Sequence, residues 1–205
     1  MMRFHIRVLV VGLAMVLLTG SSQPPEKKQR DPQSAFEPRS GPGAGQKYLE
    51  TFVGDWDVEK TFYPRGGDPA KTKGTCRQTM IHDGRFLQSE FVFEQDGKKT
   101  TGLGLVGFDP ESGQFTTVWT DSRSTRMSVR QSQDPFNGKE IVLHSRTIEK
   151  EARSSRTSST VTRMEASGDR IVHRQYTVSP AGEERLIMEL NMTRKGKSTP
   201  AGGQG

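Results

Sequence analysis

From residue 54 onward the chain alternates apolar and polar positions in short runs: WDVEKTFY, GTCRQTMIH, RFLQSEFVFEQ, TGLGLVGFD, FTTVWTD, TRMSVRQ, KEIVLHSRT, RTSSTVTRME, DRIVHRQYTV and ERLIMELNMTR. Period-two alternation sends successive side chains to opposite faces of a sheet, so each run reads as a half-buried strand. Turn chemistry separates the runs: His82-Asp83-Gly84, Asp96-Gly97, Asp109-Pro110-Glu111-Ser112-Gly113, Asn137-Gly138, Ser167-Gly168-Asp169 and Pro180-Ala181-Gly182. Asn-Gly and Asp-Gly pairs between alternating runs are strong hairpin signals. Ten strands joined this closely predict an antiparallel meander, which loses its exposed edges by closing on itself. The predicted fold is all-β, an antiparallel up-and-down barrel of about ten strands. A short helical turn within QKYLETFVG (46–54) precedes it.

Alternation also assigns faces. Trp56, Val58 and Phe62 share one, with Lys60 among them; Leu87, Phe91 and Phe93 share another. In the last run Leu186, Met188, Leu190, Met192 and Arg194 fall on one side. Phe115, Thr117, Trp119 and Asp121 form a fourth set. In the ninth run Val172 and Tyr176 carry Arg174 inward with them, which turns His173 to solvent. RTSSTVTRME is polar on both faces and is the weakest strand signal.

The ends of the chain differ from this body. Arg3 and Arg7, the apolar run VLVVGLAMVLL and the small residues TGSS form the pattern of a secretory signal peptide over 1–21. Once that peptide is cleaved, no stable membrane span is expected. LTGSS has serine where a lipid-bearing cysteine would stand, so lipidation is not expected. Residues 22–46 are rich in Pro, Gly, Ser and charge, and predict a disordered linker, because they bury too little surface to offset ordering entropy. The tail, 196–205, has the same character, which leaves a barrel domain over 47–195. The expected location is periplasmic or secreted.

The formal net charge is +6, yet residues 47–195 hold 23 Lys and Arg against 21 Asp and Glu, or +2. Charges of both signs are interspersed there, without the basic stripe of a nucleic-acid footprint. Nucleic acid is therefore not an expected partner. Cys76 is the single cysteine, so an intramolecular disulfide is excluded. His82, His144 and His173 lack the spacing of a helical zinc site, and neither a metal nor a cofactor is expected. The glycines of TGLGLVG precede a turn, whereas a phosphate loop needs a helix to follow it.

The motif Gly54-Asp55-Trp56 opening the first strand resembles the Gly-x-Trp start of lipocalin-type (calycin) barrels. In those barrels an arginine from the last strand packs across the tryptophan and closes one end. The resemblance assigns that structural closure to Trp56 and Arg194. A second resemblance covers nearly the whole body: GDWDVE, HDGRFLQSEF, TGLGLVGFDPESGQFTTVWTDS and SPAGEERLIMELNMTR are similar to the bacterial domain of unknown function 1579 family. It implies a lipocalin-like barrel without established activity, and carries no catalytic residues.

The remaining candidate chemistry lies inside the barrel. Thr117, Trp119, Asp121, Arg174 and Tyr176 are the expected ligand-binding residues, since small-molecule sites are apolar cavities with a few convergent polar groups. A buried Asp121 needs a partner, which Arg174, Lys60 or Arg123 could supply. The favoured reading is a barrel that binds a small, partly apolar ligand without catalysis. The alternative is a structural or partner-binding barrel with a packed interior. An enzyme pairing Asp121 with Arg174 is the third. In the simplest account of VWTDSRST (118–125), Trp119 fills core and Asp121 caps the following turn. The ligand's identity and the oligomeric state are not encoded legibly.

Overall fold

The computed structural model describes residues 41–149 and 154–196. The expected signal peptide, residues 22–40 of the linker and residues 197–205 of the tail lie outside them. A helix, α1 (Ala44–Glu50), precedes ten strands: β1 (Gly54–Phe62), β2 (Ala70–Ile81), β3 (Phe86–Gln95), β4 (Lys98–Asp109), β5 (Gln114–Asp121), β6 (Ser124–Gln131), β7 (Ile141–Glu149), β8 (Ser154–Met164), β9 (Arg170–Val178) and β10 (Glu184–Arg194). Each strand pairs antiparallel with its sequence neighbour, and β1 pairs with β10, so the sheet is a closed barrel. The up-and-down meander expected from the sequence is the observed topology.

Local chemistry explains several joints. Asp96 and Gly97 both have positive φ, 52° and 70°, and turn β3 into β4 in two residues. Paired left-handed residues suit the twist of the flanking strands. Asn137-Gly138 does not make such a hairpin. It lies in a long loop across the barrel end, where Phe136 packs on Tyr48 and Phe115 with ring centroids 5.0 and 5.1 Å away. Drawn toward that cluster, the loop lets β6 and β7 diverge, and they meet only at Gln131 opposite His144.

One barrel end is closed by α1. Seven residues are too few for a helix to be stable alone, so packing holds it. Leu49 and Phe52 insert into a core shared with Trp56, Phe115, Ile141, Ile171 and Met192. Gln46 donates through Nε2 to the Phe108 carbonyl at 2.8 Å. The helix therefore begins inside the stretch predicted as linker: Gly45 and Gln46 are buried, and residues 44–46 belong to the folded body.

Trp56 donates to the Phe52 carbonyl at 2.9 Å, and the Arg194 guanidinium lies 4.2 Å from its ring centroid. Arg194 also donates to the Val53, Thr51 and Gly168 carbonyls, which ties β10 to the turn after α1. Gly54 has φ of 141°, and a Cβ there would collide with the same guanidinium. The glycine of the Gly-x-Trp motif thus leaves the path by which arginine reaches those carbonyls.

Candidate functional site

The barrel encloses a cavity of about 570 Å³. It extends from Leu49 and Phe52 beneath α1 to Lys60, Phe62, Thr100 and Arg123 at the opposite strand ends. That volume falls within the usual 300–1,000 Å³ of small-molecule sites. The interior is hollow above the closed end rather than packed throughout.

The wall has two characters. On β3 and β5 it is aromatic: Phe91 stacks near-parallel on Phe93 at 6.0 Å and meets Trp119 edge-on at 5.5 Å. Trp119 lies across Gly102 and Gly104, where the strand has no side chains to hold the indole away. A methyl at Gly102 would overlap the ring. Gly102→Ala is expected to cost about 1–3 kcal/mol by overpacking, which outweighs the gain of roughly 0.4–1 kcal/mol from a stiffer unfolded chain. Urea unfolding followed by tryptophan emission checks this, and a stabilised variant would contradict the packing described. On β6, β8 and β9 the wall is polar, with Arg130, Thr160, Thr162, His173 and Gln175.

The stretch VWTDSRST ends β5 at the open rim. Asp121 accepts from Trp119 Nε1 at 3.2 Å, from the Arg123 backbone at 2.9 Å and from Arg123 Nη2 at 2.8 Å. The Arg123 side-chain hydrogen bonds hold its carboxyl well below the usual carboxylate range, against the opposing effect of burial. Asp121 therefore caps the turn and fixes the indole. With its lone pairs so engaged, it is a poor proton acceptor near neutral pH.

Thr117, Trp119 and Asp121 line the cavity together, whereas Arg174 and Tyr176 do not. The ladder decides this. His173 stands opposite the inward Leu190, and Arg174 opposite Glu189, with Arg174 Nε 2.6 Å from Glu189 Oε2 on the outer face. Tyr176 shares that outer face. Beyond the buried Ile171 the inward positions of β9 are polar because they border a cavity, so the apolar alternation of Val172 and Tyr176 marks the wrong side. The Asp121–Arg174 pair required by the enzyme reading is not assembled. A bulge at Leu186/Met188 interrupts the face expected from Leu186, which runs unbroken only from Met188.

His173, expected in solvent, faces the cavity and shares a 2.7 Å hydrogen bond between Nδ1 and Thr162 Oγ1. Burial, helped by the charge of Arg130, lowers its pKa to about 4, so the ring is neutral at pH 7. Burial also lowers Lys60, whose ammonium sits 4.3 Å over the Phe93 ring. Cys76 is buried in the core, which pushes its thiol up to about 12. Such a thiol is un-ionised at neutral pH and a weak nucleophile.

Hydrophobicity gave no signal for Arg130 and His173. On β6 the apolar Met127 and Val129 face outward, 67% and 57% exposed, while Ser128 and Arg130 face in. Cross-strand register would have found Arg130, because it stands directly opposite the inward Thr117. Among the described residues no helix is long and apolar enough to cross a membrane. The family model described as a protein of unknown function (DUF1579) matches residues 41–194. No curated protein matches the chain.

Proposed function

The chain belongs to this family of unknown function, and we propose that it is an exported barrel that binds a small, partly apolar molecule in its interior without catalysis. The observation that carries this reading is the cavity of about 570 Å³, aromatic on one wall and polar on the other. A wall of that kind supplies apolar burial together with a few oriented hydrogen-bonding groups. The amino-terminal signal pattern supports export, and an extracytoplasmic carrier or sensor has use for such an interior.

Native mass spectrometry of protein purified from its own source tests the reading directly. The expected result is a mass excess released on denaturation. A mass equal to the bare chain, together with tryptophan emission unmoved by a panel of hydrophobes, would overturn it.

The second reading, a partner-binding barrel, draws on the outer edge of β6. That strand meets β7 through a single residue pair and exposes Met127 and Val129 beside its free edge. Unpaired strand edges accept strands from other chains. A chain that holds no small molecule and yet forms a stoichiometric complex abolished by Val129→Lys would favour this second reading.

A further inference from the structure

We propose that the cavity's ligand is an organic anion, a carboxylate with an apolar body, whose headgroup is taken by Arg130; this rests on the ligand-binding reading above. Arg130 projects from β6 into the cavity, one rung deeper than Trp119, as the pairings Trp119–Ser128 and Thr117–Arg130 place it. Its Nε is fully buried and has no hydrogen-bond partner among the described residues. No carboxylate there lies within ion-pair distance of it.

The charge balance of the wall points the same way. Asp121 is the acid of the cavity lining, and Arg123 already neutralises it. Lys60 rests on the Phe93 ring without an acidic partner among the described residues. His173 is held neutral, in part by Arg130 itself, so it adds no further positive charge. Among the described residues the barrel thus keeps cationic charge inside with no further acid to answer it.

An arginine cannot shed its proton to escape that situation, as a lysine or histidine can. An unpaired buried charge is costly, and compensation must come from what occupies the cavity. The two terminal nitrogens of the guanidinium offer parallel donors, a fork matched to a planar carboxylate. The aromatic wall of Phe91 and Trp119 gives an apolar body somewhere to lie. Depth sets orientation: the headgroup enters first, and the tail runs back past Trp119 toward Phe93 and Phe62 at the rim.

The test is isothermal titration calorimetry of the full chain with three probes of equal tail length: dodecanoate, dodecan-1-ol and dodecyltrimethylammonium. Dodecanoate is expected to bind roughly 10- to 100-fold more tightly than the alcohol, the range of a hydrogen bond to a charged group. The ammonium probe is expected to bind more weakly than the alcohol. Arg130→Met should erase the preference for dodecanoate while retaining alcohol binding. Because it removes an unpaired buried charge, it should also raise the melting temperature of the empty protein. Arg130→Lys should keep only part of the preference.

Equal affinity for dodecanoate and dodecan-1-ol would overturn the anion inference and leave the ligand-binding reading standing. A preference that survives in Arg130→Met would remove Arg130 from the site. Binding of none of the three probes, with no co-purifying molecule, would remove both the inference and the reading it rests on.

Discussion

Trp56→Ala is expected to lower the stability of the barrel by about 4 kcal/mol, within the 3–5 kcal/mol range for truncating a buried aromatic. Trp56 is 0% exposed and heads the largest buried side chains. Its loss opens a void where α1, β1 and β10 converge, and strands closed into a ring have little freedom to collapse into it. The substitution also strips Arg194 of the ring beneath its guanidinium, a contact of roughly 0.5–2 kcal/mol already included in that total. A domain this size has only about 5–15 kcal/mol in hand. Urea unfolding followed by circular dichroism measures the effect. Trp56→Phe, which keeps a ring but loses the donor to the Phe52 carbonyl, should cost clearly less. A loss below about 1 kcal/mol in Trp56→Ala would mean that the closed end is not held as described.

Acid should destabilise the protein in two separate windows. His173 has a native pKa of about 4, against roughly 6.5 for an unfolded histidine. As pH falls through 6.5 the unfolded chain takes up a proton that the native ring refuses, so stability is full above that point. It then declines until about pH 4, where the native ring also protonates. A shift of this size corresponds to roughly 3 kcal/mol lost between pH 7 and pH 4. Asp121 acts lower. Its carboxyl is depressed chiefly by the Arg123 side chain, so its contribution persists above the unfolded value of about 3.9 and fades only below it. Urea midpoints at pH 7, 5.5 and 4.5 should fall steadily in the native sequence. In His173→Asn that decline should shrink, while Asp121→Asn should leave it intact. A histidine variant that tracks the native protein across this interval would place the ring in solvent after all.

How far the molecule was legible depended on which signal each residue carried. Alternation from Met188 to Arg194 and from Trp56 to Phe62 marked inward faces correctly, because those faces are apolar along nearly their whole length, with Lys60 and Arg194 set against aromatic rings. The same rule misplaced Arg174, Tyr176 and His173, because beyond Ile171 the inward positions of β9 that line the cavity, His173 and Gln175, are polar. Hydrophobic pattern measures removal from water, and a polar-walled hollow interior inverts it. β6 shows the same inversion, with Met127 and Val129 outside and Arg130 within.

The sequence by itself determined the strand count, the antiparallel meander, the helical turn before it, and the pairing of a first-strand tryptophan with a last-strand arginine. The first three follow from local chemistry, period-two alternation and residues that tolerate positive φ; the last is what the resemblance to lipocalin-type barrels implies. Only the tertiary structure decided that the barrel is hollow, that β6 and β7 part, and that Arg130 and His173 stand inside. Those outcomes depend on how ten strands close around one another. A one-residue difference in facing moves a guanidinium from solvent to interior, and that choice is made by the partner strand across the ladder.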